Sequence, residues 1–362
     1  MVALAAVGVL VLALLGTCRL WLPPHPYDFP GEQWARTTPA AAGFDRAGLD
    51  LFAERTAGVG CLVYRGRIFR DWGTQSNRGD IASIVKALYV HVLLQAVEEG
   101  RIESLDAPVA EHMRVLHKLP QGAGRNMTWR QLATQTACYG VSEAPGEAFN
   151  YSDYQMALLV DALVLHVYGS SFRTAQTDIL DPLIFDPLQC EDEPRVIPSL
   201  RVRMSARDLA RFGLLYLAEG RWGRRRLLSR KHARLVRDNS ITENIDRTRQ
   251  NETPMLRPGR TLGSGHNLED SMNSFGYCWW VNGIRDDGER VLPDAPPDAY
   301  GAIGHGGRHA LILIPSMDLV VCWLTGLGDP TPHRFSCDGR PRVNECLRLL
   351  MAARVDDAQA FE

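Results

Sequence analysis

The sequence predicts an α+β fold in which one antiparallel sheet, assembled from both ends of the chain, is flanked by helices and carries an inserted, mostly helical lobe. Three observations lead there. Strand-like runs occur at residues 61–64 and 67–72 and return at 277–281, 310–314 and 319–324. Helical periodicity dominates the stretch from about 105 to 250 between them. Pro315-Ser316-Met317-Asp318 is a turn short enough to join the last two strands as antiparallel neighbours.

The chain has 362 residues, of which 45% are hydrophobic and 23% charged, so whole-chain disorder and fibrous repeats are excluded. A net charge of -2 gives no global attraction to nucleic acid, and none is expected as a partner. Residues 2–17 are apolar or small without a break, and Leu20, Trp21 and Leu22 extend the run to Pro23 and Pro24. About 20 such residues span a bilayer, and a helix apolar on every face has no side to offer water. Residues 1–22 are therefore expected to be a membrane anchor or signal-like segment. The rest is then extracytoplasmic, anchored or secreted, with the bacterial periplasm the fitting compartment. No basic residue precedes the run, and Arg19 after it favours the opposite orientation under the positive-inside rule.

Residues 23–38, rich in Pro, aromatic and polar types, are expected to be a linker, and residues 39–355 the folded domain. Its sheet lobe would take 39–86 and 255–355, and its helical lobe 87–254. A short amphipathic helix is expected within 44–57, followed by a hairpin turning at Arg65-Gly66. A long helix follows over 83–99, ended by Gly100, which suits a left-handed cap. Ser205 reads as the cap of a helix over 205–219, and a last helix is expected over 343–353.

Basic residues comprise 37 Arg and only three Lys, so a Lys in a chemically sensible place is informative. Ser83-Ile84-Val85-Lys86 opens the long helix, and a spacing of three puts hydroxyl and amine on one face. A Ser at a helix amino end sits where backbone N–H groups favour an oxyanion, and a buried Lys of depressed pKa can take its proton. Pro145 to Asp153 is a turn-rich segment that places Tyr151 two residues before Asp153. A phenol near an ammonium can shuttle a proton between nucleophile and leaving group. Gly304-His305-Gly306-Gly307-Arg308 supplies glycines that let a substrate backbone approach an edge strand. The eight cysteines include no C-x-x-C pair, although Cys337 and Cys346 can pair in an oxidising compartment. No compact His and carboxylate cluster appears, so neither a metal nor another cofactor is expected.

These motifs, in this order, resemble the penicillin-recognising serine hydrolases in the broad sense. That group includes class C β-lactamases, D-alanyl-D-alanine carboxypeptidases, family VIII carboxylesterases and 6-aminohexanoate-dimer hydrolases. Segments between the motifs resemble it too: 100–109, 127–132, 204–213, 275–280 and 315–319. The resemblance implies a β-lactamase/transpeptidase-like fold. By motif it makes Ser83 the acylated nucleophile, Lys86 its activator and Tyr151 the general base and acid. The backbone N–H groups of Ser83 and Arg308 would form the oxyanion hole.

Two departures bear on substrate. Asp153 stands where the family's Tyr-x-Asn has Asn, and His305-Gly306-Gly307 stands where it has Lys-Thr-Gly, removing the cation that pairs with a β-lactam or peptide carboxylate. The expectation is a hydrolase of a small ester, amide or peptide-like molecule, such as a carboxylesterase, amidase or D-aminopeptidase/carboxypeptidase. Trp279 and Trp280 are candidate cleft walls. The competing expectation is a membrane-tethered binding or scaffold domain with little turnover, which Asp153 beside Lys86 favours.

Overall fold

The hairpin expected at Arg65 and Gly66 begins the main sheet. Both turn residues take left-handed conformations, with φ of 50° and 82°, between β1 (Val59–Tyr64) and β2 (Arg67–Trp72). The computed structural model describes residues 23–119, 124–238, 245–249, 251–263, 274–285, 287–325 and 340–355. Five further strands come late in the chain: β3 (Phe275–Gly276), β4 (Trp279–Val281), β5 (Tyr300–Gly304), β6 (His309–Ile314) and β7 (Leu319–Leu324).

The strands lie in the order β3-β4-β5-β6-β7-β1-β2, and every neighbouring pair is antiparallel. The sheet is thus assembled from both ends of the chain, with Val59 opposite Leu324 and Tyr64 opposite Leu319. The strand expected from Tyr277 starts at Trp279. Tyr277 and Cys278 have φ of 51° and 64° and form the β3–β4 turn instead.

The longer helices are α1 (Arg46–Thr56), α2 (Val85–Glu98), α3 (Asp153–Asp161), α4 (Ala206–Leu217) and α5 (Arg340–Ala352). On one side Phe52 of α1 meets Trp72 and Trp323 edge-on, at 5.6 and 6.0 Å between ring centroids. On the other side α4 lies so close that a Cβ at Gly213 would stand 2.8 Å from both the Leu311 and Val320 side chains. Any larger residue there would push one of those methyl groups aside. With both sides covered, β6 and β7 are buried at every position, which explains why they are apolar throughout except for His309 at the start of β6. Ser205 caps α4 as expected, accepting the Asp208 N–H.

Helix α2 is buried from Val85 through Ala96, as its near-absence of polar faces requires. Truncating a fully buried side chain there, such as Leu93, to Ala would cost about 2–5 kcal/mol. Gly100 ends the helix region with φ of 69°. A small sheet orders Gly79–Asp80, Arg201–Met204 and Arg195–Ile197, and it brings Arg201 beside Asp80 just ahead of α2.

Residues 23–38, expected to be a linker, pack on the domain. Thr37 N–H donates to the Ile68 carbonyl and Ile68 N–H to Ala35, at 2.9 and 3.0 Å. The Tyr27 hydroxyl donates to Asp318 at 2.6 Å, and Trp34 is buried. The physical reason is that β2 ends the sheet. Its open backbone needs a cover, and this segment supplies one. Among the described residues no helix is long and apolar enough to cross a membrane. The apolar run at 1–22 and Cys337 lie outside the described residues.

Candidate active site

Ser83 sits in a 3₁₀ turn, Ala82–Ile84, that runs directly into α2. The turn is tied to the small sheet, with Ile81 N–H donating to the Val202 carbonyl at 3.1 Å. Ser83 is partly exposed, whereas Lys86, one turn deeper, is buried. The Lys86 ammonium donates to Ser83 Oγ at 2.8 Å, the geometry that a spacing of three on one helix face predicts.

Tyr151 and Asp153 arrive from the opposite wall on a segment fastened by Gln135. The Gln135 carbonyl accepts the Asn150 N–H at 2.9 Å, and its side-chain oxygen accepts the Ser152 N–H at 2.7 Å. Ser152 caps α3 by accepting the Tyr154 N–H, which makes Asp153 the first helical residue. Asp153 Oδ1 then lies 2.6 Å from Lys86 Nζ, with both side chains almost wholly buried. Lys86 Nζ stands 4.8 Å from the Tyr151 ring centroid. The Tyr151 ring stacks on Trp280 at 5.9 Å and meets the edge of Phe275. Gly263 closes over the pair, since a Cβ there would come within 2.2 Å of Asp153 Oδ2.

The electrostatics correct one expectation. Burial alone would push Lys86 toward its neutral form, but the Tyr151 phenol and the Asp153 carboxylate outweigh it and hold its pKa above that of an ordinary lysine. Lys86 is a cation here, so the depressed pKa expected from burial does not arise. Cys278 lies in the same electrostatic neighbourhood, yet burial pushes its thiol up to about 12 and leaves it inert. Trp279 is fully buried in the core, whereas Trp280, nearly as buried, stacks on the Tyr151 ring at the site.

The third motif forms a turn, not an edge strand. His305, Gly306 and Gly307 have φ of 48°, 60° and 78° and link β5 to β6. The Arg308 N–H, expected to face an oxyanion, closes this turn on the His305 carbonyl at 3.3 Å. Gly304 stands against Ser83. A Cβ there would come within 2.9 Å of the Ile81 carbonyl and 3.3 Å of Ser83 N.

Although His305 has an outer edge open to solvent, dehydration of its ring lowers its pKa, and Arg201 adds to the effect. Its ring lies 5.0 Å from that of His309, which burial pushes down to about 4. Gln135, Asp80, Arg201 and Gly304 were not selected as site residues from sequence. Only Gly304, inside the glycine-rich motif, carried a signal that could have found it. Among the described residues no group of three or more His, Cys, Asp or Glu side chains is placed to hold a metal.

The family model described as Beta-lactamase matches residues 50–340. The chain belongs to the beta-lactamase family. This beta-lactamase-family chain also shares its fold with solved structures of low identity. A Bacillus anthracis protein named as a 6-aminohexanoate-dimer hydrolase superposes with a TM-score of 0.61 at 14% identity, covering 91% of this chain and 88% of that one. A penicillin-binding protein homologue from Caulobacter crescentus gives 0.59 at 14%, covering 89% and 99%. EstCE1, described as a hydrolase with promiscuous acyltransferase activity, gives 0.53 at 13%, covering 84% and 100%. No curated protein matches the chain. Membership in this family of serine hydrolases supports a hydrolase.

Proposed function

We propose that this chain hydrolyses a small ester or amide through an acyl-enzyme on Ser83. The observation that carries the reading is the buried cluster in which one ammonium, that of Lys86, reaches Ser83 Oγ, Asp153 and the Tyr151 ring together. A charged Lys86 cannot take the serine proton, but it stabilises oxygen anions on Ser83 and Tyr151. Tyr151, as phenolate, removes the Ser83 proton while Oγ attacks the carbonyl carbon. The proton then passes from Tyr151 to the departing alcohol or amine. In deacylation Tyr151 takes a proton from water, whose oxygen attacks the acyl carbon, and returns it to Ser83. The N–H of Ser83, in the first turn leading into α2, is the oxyanion donor this scheme uses.

His305 in place of a lysine removes the fixed cation that a β-lactam or peptide carboxylate would pair with, so neutral acyl substrates are favoured. The extracytoplasmic location, with residues 1–22 as anchor, belongs to this proposal and rests on sequence alone. One observation favours a second reading, a tethered binding domain with little turnover. The Asp153 carboxylate draws on the same cation that Tyr151 needs.

The test compares p-nitrophenyl butyrate, butyryl p-nitroanilide and nitrocefin with residues 1–22 removed, using Tyr151→Phe as control. Turnover of the ester or anilide well above nitrocefin, lost in Tyr151→Phe, is the expected result. A folded protein inert to all three would favour the binding domain.

A further inference from the structure

We infer that Asp80 is a positioning residue for the nucleophile, holding the turn before Ser83 in a conformation the chain would not otherwise keep. The inference rests on the reading of Ser83 as nucleophile. Ala82, immediately before Ser83, has φ of 52°, in the left-handed region that a residue with a Cβ enters reluctantly. Asp80 Oδ1 accepts the Ala82 N–H at 2.9 Å, which ties that residue down.

The carboxylate is oriented from behind. Arg201 approaches it with Nη2 at 2.8 Å from Oδ2 and Nε at 3.3 Å from Oδ1. Arg201 and Val202 belong to the same strand, and the Val202 carbonyl receives the Ile81 N–H. That one strand therefore grips two consecutive residues of the turn, Ile81 directly and Ala82 through Asp80. Gly304 blocks the other side, since a Cβ there would come within 3.1 Å of Ala82 Cβ.

Ser83 is thus aimed by a clamp with three parts: a carboxylate, the arginine that orients it, and a glycine backstop. Loss of the carboxylate lets Ala82 relax toward negative φ, which rotates the Ser83 N–H and Oγ away from Lys86 and the substrate carbonyl. A displacement of about an ångström costs on the order of 100-fold in rate. Asp80→Asn keeps an oxygen on Ala82 N–H. A glycine at position 82 accepts positive φ without help, so Ala82→Gly should make the carboxylate dispensable.

The experiment measures fluorophosphonate labelling rates, kcat and KM for p-nitrophenyl butyrate, and the crystal conformation of residues 80–84. It covers wild type, Asp80→Ala, Asp80→Asn and Asp80→Ala/Ala82→Gly. The expected result for Asp80→Ala is labelling and kcat slower by 10- to 100-fold with KM little changed, and Ala82 moved out of the left-handed region. Asp80→Asn and the double variant should recover to within a few-fold, with the turn restored. If Asp80→Ala keeps both the turn and the labelling rate, or if neither companion variant recovers what it loses, the inference is overturned. A wild type that neither labels nor turns over, but whose turn collapses only in Asp80→Ala, would sink the Ser83 reading and leave the clamp standing.

Discussion

Two walls meet at Ser83, and they are built differently. The Lys86 wall is closed. Its ammonium, the Asp153 carboxylate and the Tyr151 ring are all buried and mutually engaged, and Gln135 fastens the segment that carries the last two. The His305 wall is a turn of left-handed residues with His305 exposed, and Gly304 packs closely against Ser83. A change in the first wall strands a buried charge, whereas a change in the second alters little but what a substrate meets. The difference accounts for one wall being fixed by its own contacts while the other presents His305 to solvent. If the proposed function holds, burial and mutual bonding keep the first wall fixed, and changes of specificity fall on the second.

Removing the central cation tests the closed wall with the largest expected effect. Lys86→Met should lower kcat/KM by about 10²- to 10⁴-fold. It should also cost about 3–5 kcal/mol in denaturant unfolding, because Asp153, almost wholly buried, loses the cation it pairs with. Lys86→Met/Asp153→Asn should regain most of the stability and none of the activity. Equal stability in the two variants would mean that the ion pair is not a coupled unit.

Acid unfolding probes buried histidines behind both walls. His91 and His309 are each pushed from 6.5 to about 4, chiefly by burial. A histidine whose folded pKa is depressed lets the unfolded chain bind the extra proton between those values. Stability is therefore full above about pH 6.5 and falls as pH drops toward 4. The loss should approach roughly 3 kcal/mol per ring. His91→Gln, which can still bond the Tyr216 hydroxyl now 3.0 Å from the ring, should flatten the dependence by about one proton. An unchanged slope in urea melts across this range would contradict the assignment.

The open wall should respond through substrate choice. His305→Lys restores a cation and should lower KM about tenfold for a carboxylate-bearing ester relative to its neutral methyl ester, with kcat on the neutral ester nearly unchanged. A loss of kcat on both esters would mean that the turn belongs to the chemistry after all.

The smallest effect joins the two walls to pH. Asp153 raises the Lys86 pKa and competes with Tyr151 for its charge. Asp153→Asn should therefore free the cation for the phenolate and move the acid limb of the kcat/KM profile about one unit lower. A shift upward would mean that the carboxylate is an adapted part of the machinery.

Much of this was legible in the sequence where the signal is local. The turn at Arg65 and Gly66, the Ser205 cap, the apolar runs of β6 and β7, and the Ser83 to Lys86 spacing each follow from a few neighbouring residues. What was not legible depends on contacts far apart in the chain. Arg201 lies 121 positions from the Asp80 it orients, and no local pattern joins them. The Lys86 charge state turned on distance. The same residues were in view, but only Tyr151 and Asp153 brought close to the ammonium together reverse the effect of burial. Residues 23–38 read as a linker by composition, because nothing in them states that β2 needs an edge cover.

The proposed function stands or falls on covalent acylation of Ser83, backed by a charged Lys86 and by Tyr151. The most direct measurement is intact-protein and peptide mass spectrometry after a fluorophosphonate and, separately, p-nitrophenyl butyrate, on wild type and Ser83→Ala. One adduct per chain on the peptide containing Ser83, absent from Ser83→Ala, is the predicted result. An adduct on another residue, or none on a folded wild type, would contradict it.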